Sequence, residues 1–394
     1  MRRGFHMYII TSILILLGVG LVLGQIFERF RLAAVAAEIL GGFILGPAIL
    51  RVVVPTSELS SIADIALYFI VLLIGIEMTT SSIIRSYRKA IPLTIVNFVI
   101  PVLMMTELLY FVFHESLTTA LIIALSIGVP SISIISILVR EYNLLQQTSG
   151  QIILSSVILS DLVAFVLLSS LLNTTFFLPK LLSVIAFLVA LFLADIVIAH
   201  YSEVVVSAFN RIHATEHGEK VIFGAIILGG LLAATFFQDF GFTYVLGAFF
   251  AGMIISEVVV GKEILGILTR TMNRINDSFF IPVYFTIAGL NVVFPSPIYI
   301  LILIVLLLIT GGVGSGLILL LCKVMDIELK PRSAAGFLGS RGAVGVVIAA
   351  TALSASLIGV DIYSLLLFGT IVLAVFFPLL IRGEKVDGDS GQVT

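Results

Sequence analysis

Asp161 sits almost midway along an apolar run, residues 149–172, with Gln151, Ser155, Ser156 and Ser160 around it. A charge at that depth costs about 2.5–3.5 kcal/mol on insertion scales, and no side chain can snorkel from mid-run to water. Burial disfavours the bare carboxylate, whereas a proton or a bound cation neutralises it. One such group can hold either ligand but not both comfortably. That competition is the least chemistry that exchanging one for the other requires. The bland alternative is a structural Asp hydrogen-bonded between helices.

Two further runs carry helix breakers at mid-depth. Within 117–139, Ser126-Ile-Gly-Val-Pro130-Ser131-Ile-Ser133 brings Gly and Pro together. Pro130 lacks a backbone donor and frees a carbonyl. Within 333–356, Gly339-Ser-Arg341-Gly342-Ala-Val-Gly345 does the same with glycines. Discontinuous helices in corresponding halves point to an ion site, because unwound carbonyls can coordinate a cation. Arg341 would offset half-helix dipoles or pair with a carboxylate. Two ordinary kinked helices would also explain these residues. Glu77, near the inner end of 62–79, either reaches an inner cavity or snorkels. Glu38 lies inside 32–50. Glu107 and Asp195 read as interfacial or interhelical, and Asn97 and Asn291 as contacts between helices.

Those residues need a membrane around them, and composition supplies it. The 394 residues are 60% hydrophobic and 11% charged, where a soluble chain carries about 25% charged residues. Mean hydropathy is +1.24. Runs of 18 or more apolar residues recur, each sufficient for ~30 Å of hydrocarbon, and in lipid such runs must be helices. Thirteen spans are expected: 7–27, 32–50, 62–79, 90–113, 117–139, 149–172, 180–205, 219–237, 243–258, 278–294, 297–322, 333–356 and 361–382. The first starts after two arginines with no cleavage site and reads as retained. With the N-terminus outside, only Arg2, Arg3, Arg51 and Lys180 of the 21 basic residues fall on the outer side, and Arg341 lies within a span. That asymmetry supports an odd count, N-out and C-in.

An internal repeat reinforces the reading. Phe27, Phe30, Val35 and Gly42 match Phe237, Phe240, Val245 and Gly252, all 210 positions on, and Gly75-Ile-Glu77 falls near Gly289-Leu-Asn291. Seven spans separate the copies, so their orientations oppose, as in transporters whose site lies between two inverted halves. The expected division is a first repeat at 1–172, a linking helix and inner loop at 173–218, a second repeat at 219–382 and a polar tail at 383–394.

Other features exclude more than they assign. Cys322 is the lone cysteine, so no disulfide forms within the chain and no thiolate metal cluster. No cofactor motif or nucleic-acid module is visible. Gly311-Gly-Val-Gly-Ser-Gly316 lacks the Lys-Ser/Thr of a phosphate loop and reads as close helix packing. His213 and His217, with Glu216 and Glu219, read as a solvated inner loop, with cytoplasmic pH sensing as the alternative.

Ala36-Ala-Glu-Ile-Leu-Gly-Gly-Phe-Ile-Leu-Gly-Pro47 resembles the opening motif of the Na+/H+ exchanger superfamily, especially its cation:proton antiporter-2 branch. Ile74-Gly-Ile-Glu77, Gly247-Ala-Phe-Phe-Ala-Gly252, Phe280-Ile-Pro-Val-Tyr-Phe285 and Ser340-Arg-Gly342 look like its later signatures, in order. The resemblance covers nearly the whole chain. It implies an all-α polytopic membrane protein, a homodimer in the plasma membrane with a scaffold and a mobile core holding two crossed, unwound helices. It makes Asp161 the carboxylate for Na+ or K+ and for H+, with Ser131 and Ser133 lining the first unwound segment.

Departures from the family pattern shape the expected mechanism. Relatives carry Asp-Asp, Asn-Asp or Gln-Asp where this chain has Ser160-Asp161. Electrogenic relatives carry a lysine where this chain has Gly311–Gly312, and the nearest lysine here is Lys323 at the membrane edge. One titrating carboxylate and no intramembrane lysine imply 1:1 electroneutral exchange. Ala343 replaces a Glu common in relatives, leaving any partner of Arg341 open. The expected mechanism is alternating access at Asp161, helped by Ser160, Ser131, Ser133 and main-chain carbonyls, with Ser156, Pro130, Glu77 and Arg341 as accessories. A sodium-coupled organic-anion symporter would need more Asn, Gln and Thr in the spans. A ligand-gated K+ efflux system would carry a nucleotide-binding domain after the last span. An intramembrane enzyme is disfavoured, since neither HExxH nor paired aspartates with GxGD occur.

Overall fold

The computed structural model describes residues 8–30, 32–77, 88–131, 135, 148–171, 207, 211–212, 215, 217–239, 243–255, 260–324, 336 and 339–381. The apolar runs fold as helices, since in hydrocarbon each backbone N–H must find its carbonyl within the run. In order they are α1 (Ile9–Arg29), α2 (Ala34–Leu45), α3 (Ser57–Glu77), α4 (Arg88–Phe111), α5 (Leu117–Gly128), α6 (Thr148–Leu171), α7 (Gly218–Asp239), α8 (Tyr244–Ile254), α9 (Lys262–Ile275), α10 (Ile281–Leu290), α11 (297–324), α12 (Ala343–Ser354) and α13 (Val360–Ile381). Seven of them are long and apolar enough to cross a membrane, while α2, α5, α8 and α12 are shorter apolar helices. The expected span 180–205, the tail 383–394 and the linker histidine His213 lie outside the described residues.

Local chemistry sets the ends. Ser116 caps α5 by accepting from the Thr119 N–H at 3.1 Å, and Thr243 caps α8 by accepting from the Leu246 N–H at 3.2 Å. Such caps satisfy donors that a helix start otherwise leaves orphaned. Helix α5 stops at Gly128 because Pro130 forces Val129 into extended geometry, φ −72° and ψ 125°.

Among the described residues three π-helical stretches interrupt the ladder, at Ile95–Val99 in α4, at Asn276–Phe280 between α9 and α10, and at Ile309–Gly314 in α11. The first two run up to Pro101 and Pro282, which lack the N–H that would continue the α pattern. The third corrects the reading of the Gly311–Gly316 run. A Cβ added at Gly312 or Gly316 would meet nothing within 4 Å, and at Gly311 only Phe377 at 3.5 Å. The glycines loosen a helix there rather than admit a close neighbour.

A second correction concerns 262–275, which the expected spans leave within the inner connection between 243–258 and 278–294. It is the amphipathic helix α9, which buries Ile264, Leu268 and Met272 at four-residue spacing. Lys262, Glu263, Arg270 and Arg274 occupy its other faces. A charge-rich segment with that period is a helix lying along an apolar surface.

The chain divides into two compact units, Met1–Ser60, Ile83–Ala164 and Phe285–Thr394 forming one, and Ser61–Ser82 with Phe165–Tyr284 the other. In the first, α2 crosses α10 with backbones almost touching. A Cβ at Gly42 would collide with the Thr286 carbonyl oxygen and meet the Gly289 Cα at 3.0 Å. The α13 residue Tyr363 donates its hydroxyl to the Ala288 carbonyl at 2.8 Å, and the Val293 N–H donates to Ser364 Oγ at 2.9 Å. In the second unit, α3 crosses α8 in the same manner. A Cβ at Gly252 would collide with the Leu72 carbonyl oxygen and meet the Gly75 Cα at 2.8 Å. Tyr68 donates to the Ile227 carbonyl of α7 at 2.8 Å, and Tyr244 to Asp64 Oδ1 at 3.0 Å. Only 22% of the apolar stretch of α1 and 28% of that of α7 are buried, against 72% for α6. Helix α6 is therefore an interior element, and it carries Asp161.

Candidate functional site

Asp161 is fully buried, with 0% of its surface exposed. Among the described residues neither carboxylate oxygen has a hydrogen-bond partner. The structural Asp bonded between helices therefore has no support in these contacts. Five residues earlier on the same helix, Ser156 is buried with no partner for its hydroxyl among the described residues. Ser160 is buried and donates to the Ser156 carbonyl at 2.9 Å. Spending its proton on that carbonyl leaves the Ser160 oxygen lone pairs available to an incoming cation or donor.

The two breaks meet. Pro130 and Arg341 form an isolated antiparallel β-bridge, and the Ser131 N–H donates to the Ser340 carbonyl at 2.9 Å. Ser126 Oγ donates to the Gly345 carbonyl at 2.8 Å. A Cβ at Gly345 would collide with the Ser126 carbonyl oxygen, so α5 and α12 approach as closely as backbones allow. The segments between these helices are extended because neither Pro130 nor the Gly339–Gly342 stretch sustains a helix. Ser131 is 1% exposed, Ser340 0% and Arg341 1%. Ser133 lies outside the described residues. Glu77 is the last residue of α3, with its side chain outside the described part.

Helix α4 connects the crossing to α6. Thr94 Oγ1 lies 2.9 Å from the Ala90 carbonyl and 3.1 Å from the Ser156 carbonyl of α6. At Asn97 the Arg341 guanidinium donates through Nη2 to the main-chain carbonyl at 3.4 Å. Asn97 is the residue whose carbonyl Pro101, four places later, cannot bond in an α-helix. Arg341 thus supplies the donor that proline withholds. Sequence reasoning expected Arg341 to meet helix-end dipoles or a carboxylate, and this carbonyl was missed. The available signal was the Asn97-x-x-x-Pro101 spacing, which marks a freed carbonyl just as Pro130 does. The expected ligand Ser131 and the accessory residues Pro130 and Arg341 come together at the crossing, while Ser156, Ser160 and Asp161 share α6, with α4 touching both groups. Among the described residues no cluster of His, Cys, Asp and Glu could hold a metal ion. Any cation here would meet one carboxylate and neutral oxygens.

The family model described as "Sodium/hydrogen exchanger, transmembrane" matches residues 13–383. A "Na(+)/H(+) antiporter" of Enterococcus hirae is 24% identical, with 94% of this chain and 97% of the relative aligned. A "Probable Na(+)/H(+) antiporter 3" of Methanocaldococcus jannaschii is 25% identical over 70% of each chain. The structure of the sodium proton antiporter MjNhaP1 from Methanocaldococcus jannaschii at pH 8 superposes with a TM-score of 0.66 at 16% identity, covering 94% of both chains.

Proposed function

The chain belongs to the sodium/hydrogen exchanger family and is an integral membrane transporter, not an enzyme; on that premise we propose that it exchanges Na+ or K+ for H+ at Asp161 by alternating access. The observation that carries the proposal is the pair of fully buried carboxylate oxygens, without a hydrogen-bond partner among the described residues, in an interior helix. A bare charge in that setting is costly, so each passage of the site requires a cation or a proton. Ser160, Ser131 and freed main-chain carbonyls complete the cation's shell, with Ser133 in the segment after Ser131. Ser156, Pro130 and Arg341 shape the site.

The two crossed, discontinuous helices and the inverted repeat belong to the same reading. The repeat is supported by the glycine contacts. Thr286 and Gly289 meet Gly42 as Leu72 and Gly75 meet Gly252. In return, Ile39 and Phe43 meet Gly289 as Phe249 and Met253 meet Gly75. The spacing from Gly75 to Gly289, 214 positions, also carries the π stretch starting at Ile95 onto the one starting at Ile309. With the repeats at 1–172 and 219–382, joined by 173–218 and followed by the tail 383–394, the thirteen-span, N-out arrangement follows. A homodimer in the plasma membrane provides the fixed partner against which the ion-binding core moves.

Exchange is expected to be electroneutral. One carboxylate takes one cation or one proton, and the place where electrogenic relatives keep a lysine is the glycine π stretch Ile309–Gly314. In proteoliposomes with a trapped pH dye, adding Na+, K+ or Li+ should move protons at a rate that a clamped membrane potential leaves unchanged. Acidification should raise the apparent KM for the cation without lowering the maximal rate, because both ligands compete for one group. A current that responds to potential would rule out the 1:1 stoichiometry. No cation-dependent proton movement with any of the three ions would remove the proposal.

A further inference from the structure

Asn97 is fully buried in the middle of α4. Among the described residues, neither its Oδ1 nor its Nδ2 has a hydrogen-bond partner. A buried amide left unsatisfied is unfavourable and calls for an occupant that completes it. The backbone around it is equally unusual, a π-helical stretch from Ile95 to Val99 with Pro101 just beyond. Single π-turns inside α-helices gather at functional sites because they swing one side chain out of the regular helical pattern. The Asn97 carbonyl is held from outside by Arg341 Nη2 at 3.4 Å.

Register brings this side chain to nearly the depth of the carboxylate. Thr94 meets the Ser156 carbonyl at 3.1 Å, which pins α4 to α6. With alternating spans, α4 and α6 run parallel. Asn97 then lies about 4.5 Å beyond Thr94 along its helix, and Asp161 about 7.5 Å beyond Ser156 along the other. Two buried groups, both lacking partners among the described residues, therefore share nearly one depth on neighbouring helices. One supplies a charge, the other a hard neutral oxygen of the kind alkali cations accept. We propose that Asn97 Oδ1 is a ligand of the transported cation, turned towards Asp161 by the π-turn that Pro101 creates and Arg341 holds. This rests on Asp161 being the cation and proton carboxylate. In that arrangement Asn97 sets cation affinity and selectivity while leaving the proton step to Asp161.

The test uses the reconstituted full chain, with initial exchange rates measured against Na+, Li+ and K+ at fixed pH. Asn97→Ala should raise the cation KM about tenfold with a nearly unchanged maximal rate, the pattern of a lost ground-state ligand. It should also alter the ratio of KM values among the three ions. Asn97→Asp keeps the shape, guarding against a variant that fails to fold, and should lower the cation KM severalfold at alkaline pH. Wild-type KM values and selectivity in Asn97→Ala, or an unchanged cation KM in Asn97→Asp, would overturn the assignment. Asp161→Asn separates the two levels. If it is inactive while both Asn97 variants transport like the wild type, only this inference falls. If it still exchanges, the reading beneath it falls as well.

Discussion

Asp161→Asn should reduce cation-coupled proton movement by about two orders of magnitude or more, to the leak of empty vesicles. An amide binds no proton near neutral pH and offers a cation no compensating charge, so neither half of the cycle can carry its ligand across. What makes the prediction sharp is the expected behaviour of the fold. The carboxylate has no hydrogen-bond partner among the described residues, so the substitution breaks no bond found there. Replacing a fully buried acid by its neutral isostere removes a desolvation penalty. The variant should therefore purify as well as the wild type and unfold at an equal or slightly higher temperature. Loss of transport together with retained or improved stability is the signature of a functional acid. Exchange in Asp161→Asn above about a tenth of the wild-type rate would assign the chemistry to another group. A variant that fails to fold would return Asp161 to a structural role.

Most of the architecture was legible because membranes leave few options. An apolar run long enough to cross must be a helix, and every expected span with described residues contains one. The burial of Asp161 was legible for a related reason, since a lone acid at mid-span has no water to reach. The breaks at Pro130 and Gly339–Gly342 could be read because proline and glycine act through the local backbone. What stayed hidden depended on partners far away in the chain. Asn97 looked like any amide between helices, and only its lack of a side-chain partner among the described residues and the Arg341 contact set it apart. The Gly311–Gly316 run illustrates the same limit, because small residues serve a tight crossing and a loosened π-turn alike. Helix α9 was hidden by its charges. Counting Lys262, Arg270 and Arg274 as loop overlooked the four-residue spacing of Ile264, Leu268 and Met272.

The glycine crossings carry the other large effect. Gly42→Val and Gly252→Val should each prevent recovery of a monodisperse protein, or lower its unfolding midpoint by more than about 10 °C. A Cβ at either position would run into a main-chain carbonyl oxygen, Thr286 in one case and Leu72 in the other. Overpacking against side chains costs about 1–3 kcal/mol because side chains can turn away. A helical carbonyl cannot, so two helices must part and forfeit the packing along their length. Gly312→Ala provides the control. An added methyl there meets nothing within 4 Å, and alanine favours helix over glycine by about 1 kcal/mol, so stability should hold or rise. Milder alanine variants then test the pairing itself. Gly42→Ala and Gly289→Ala disturb one contact, so together they should cost less than the sum of the singles. Gly42→Ala and Gly252→Ala disturb two separate contacts and should add. Such a pattern would tie each glycine to its partner by energy as well as position, as two copies of one packing unit require. Additivity within the Gly42–Gly289 pair, or a Gly42→Val protein as stable as the wild type, would dissolve that equivalence and the inverted repeat with it.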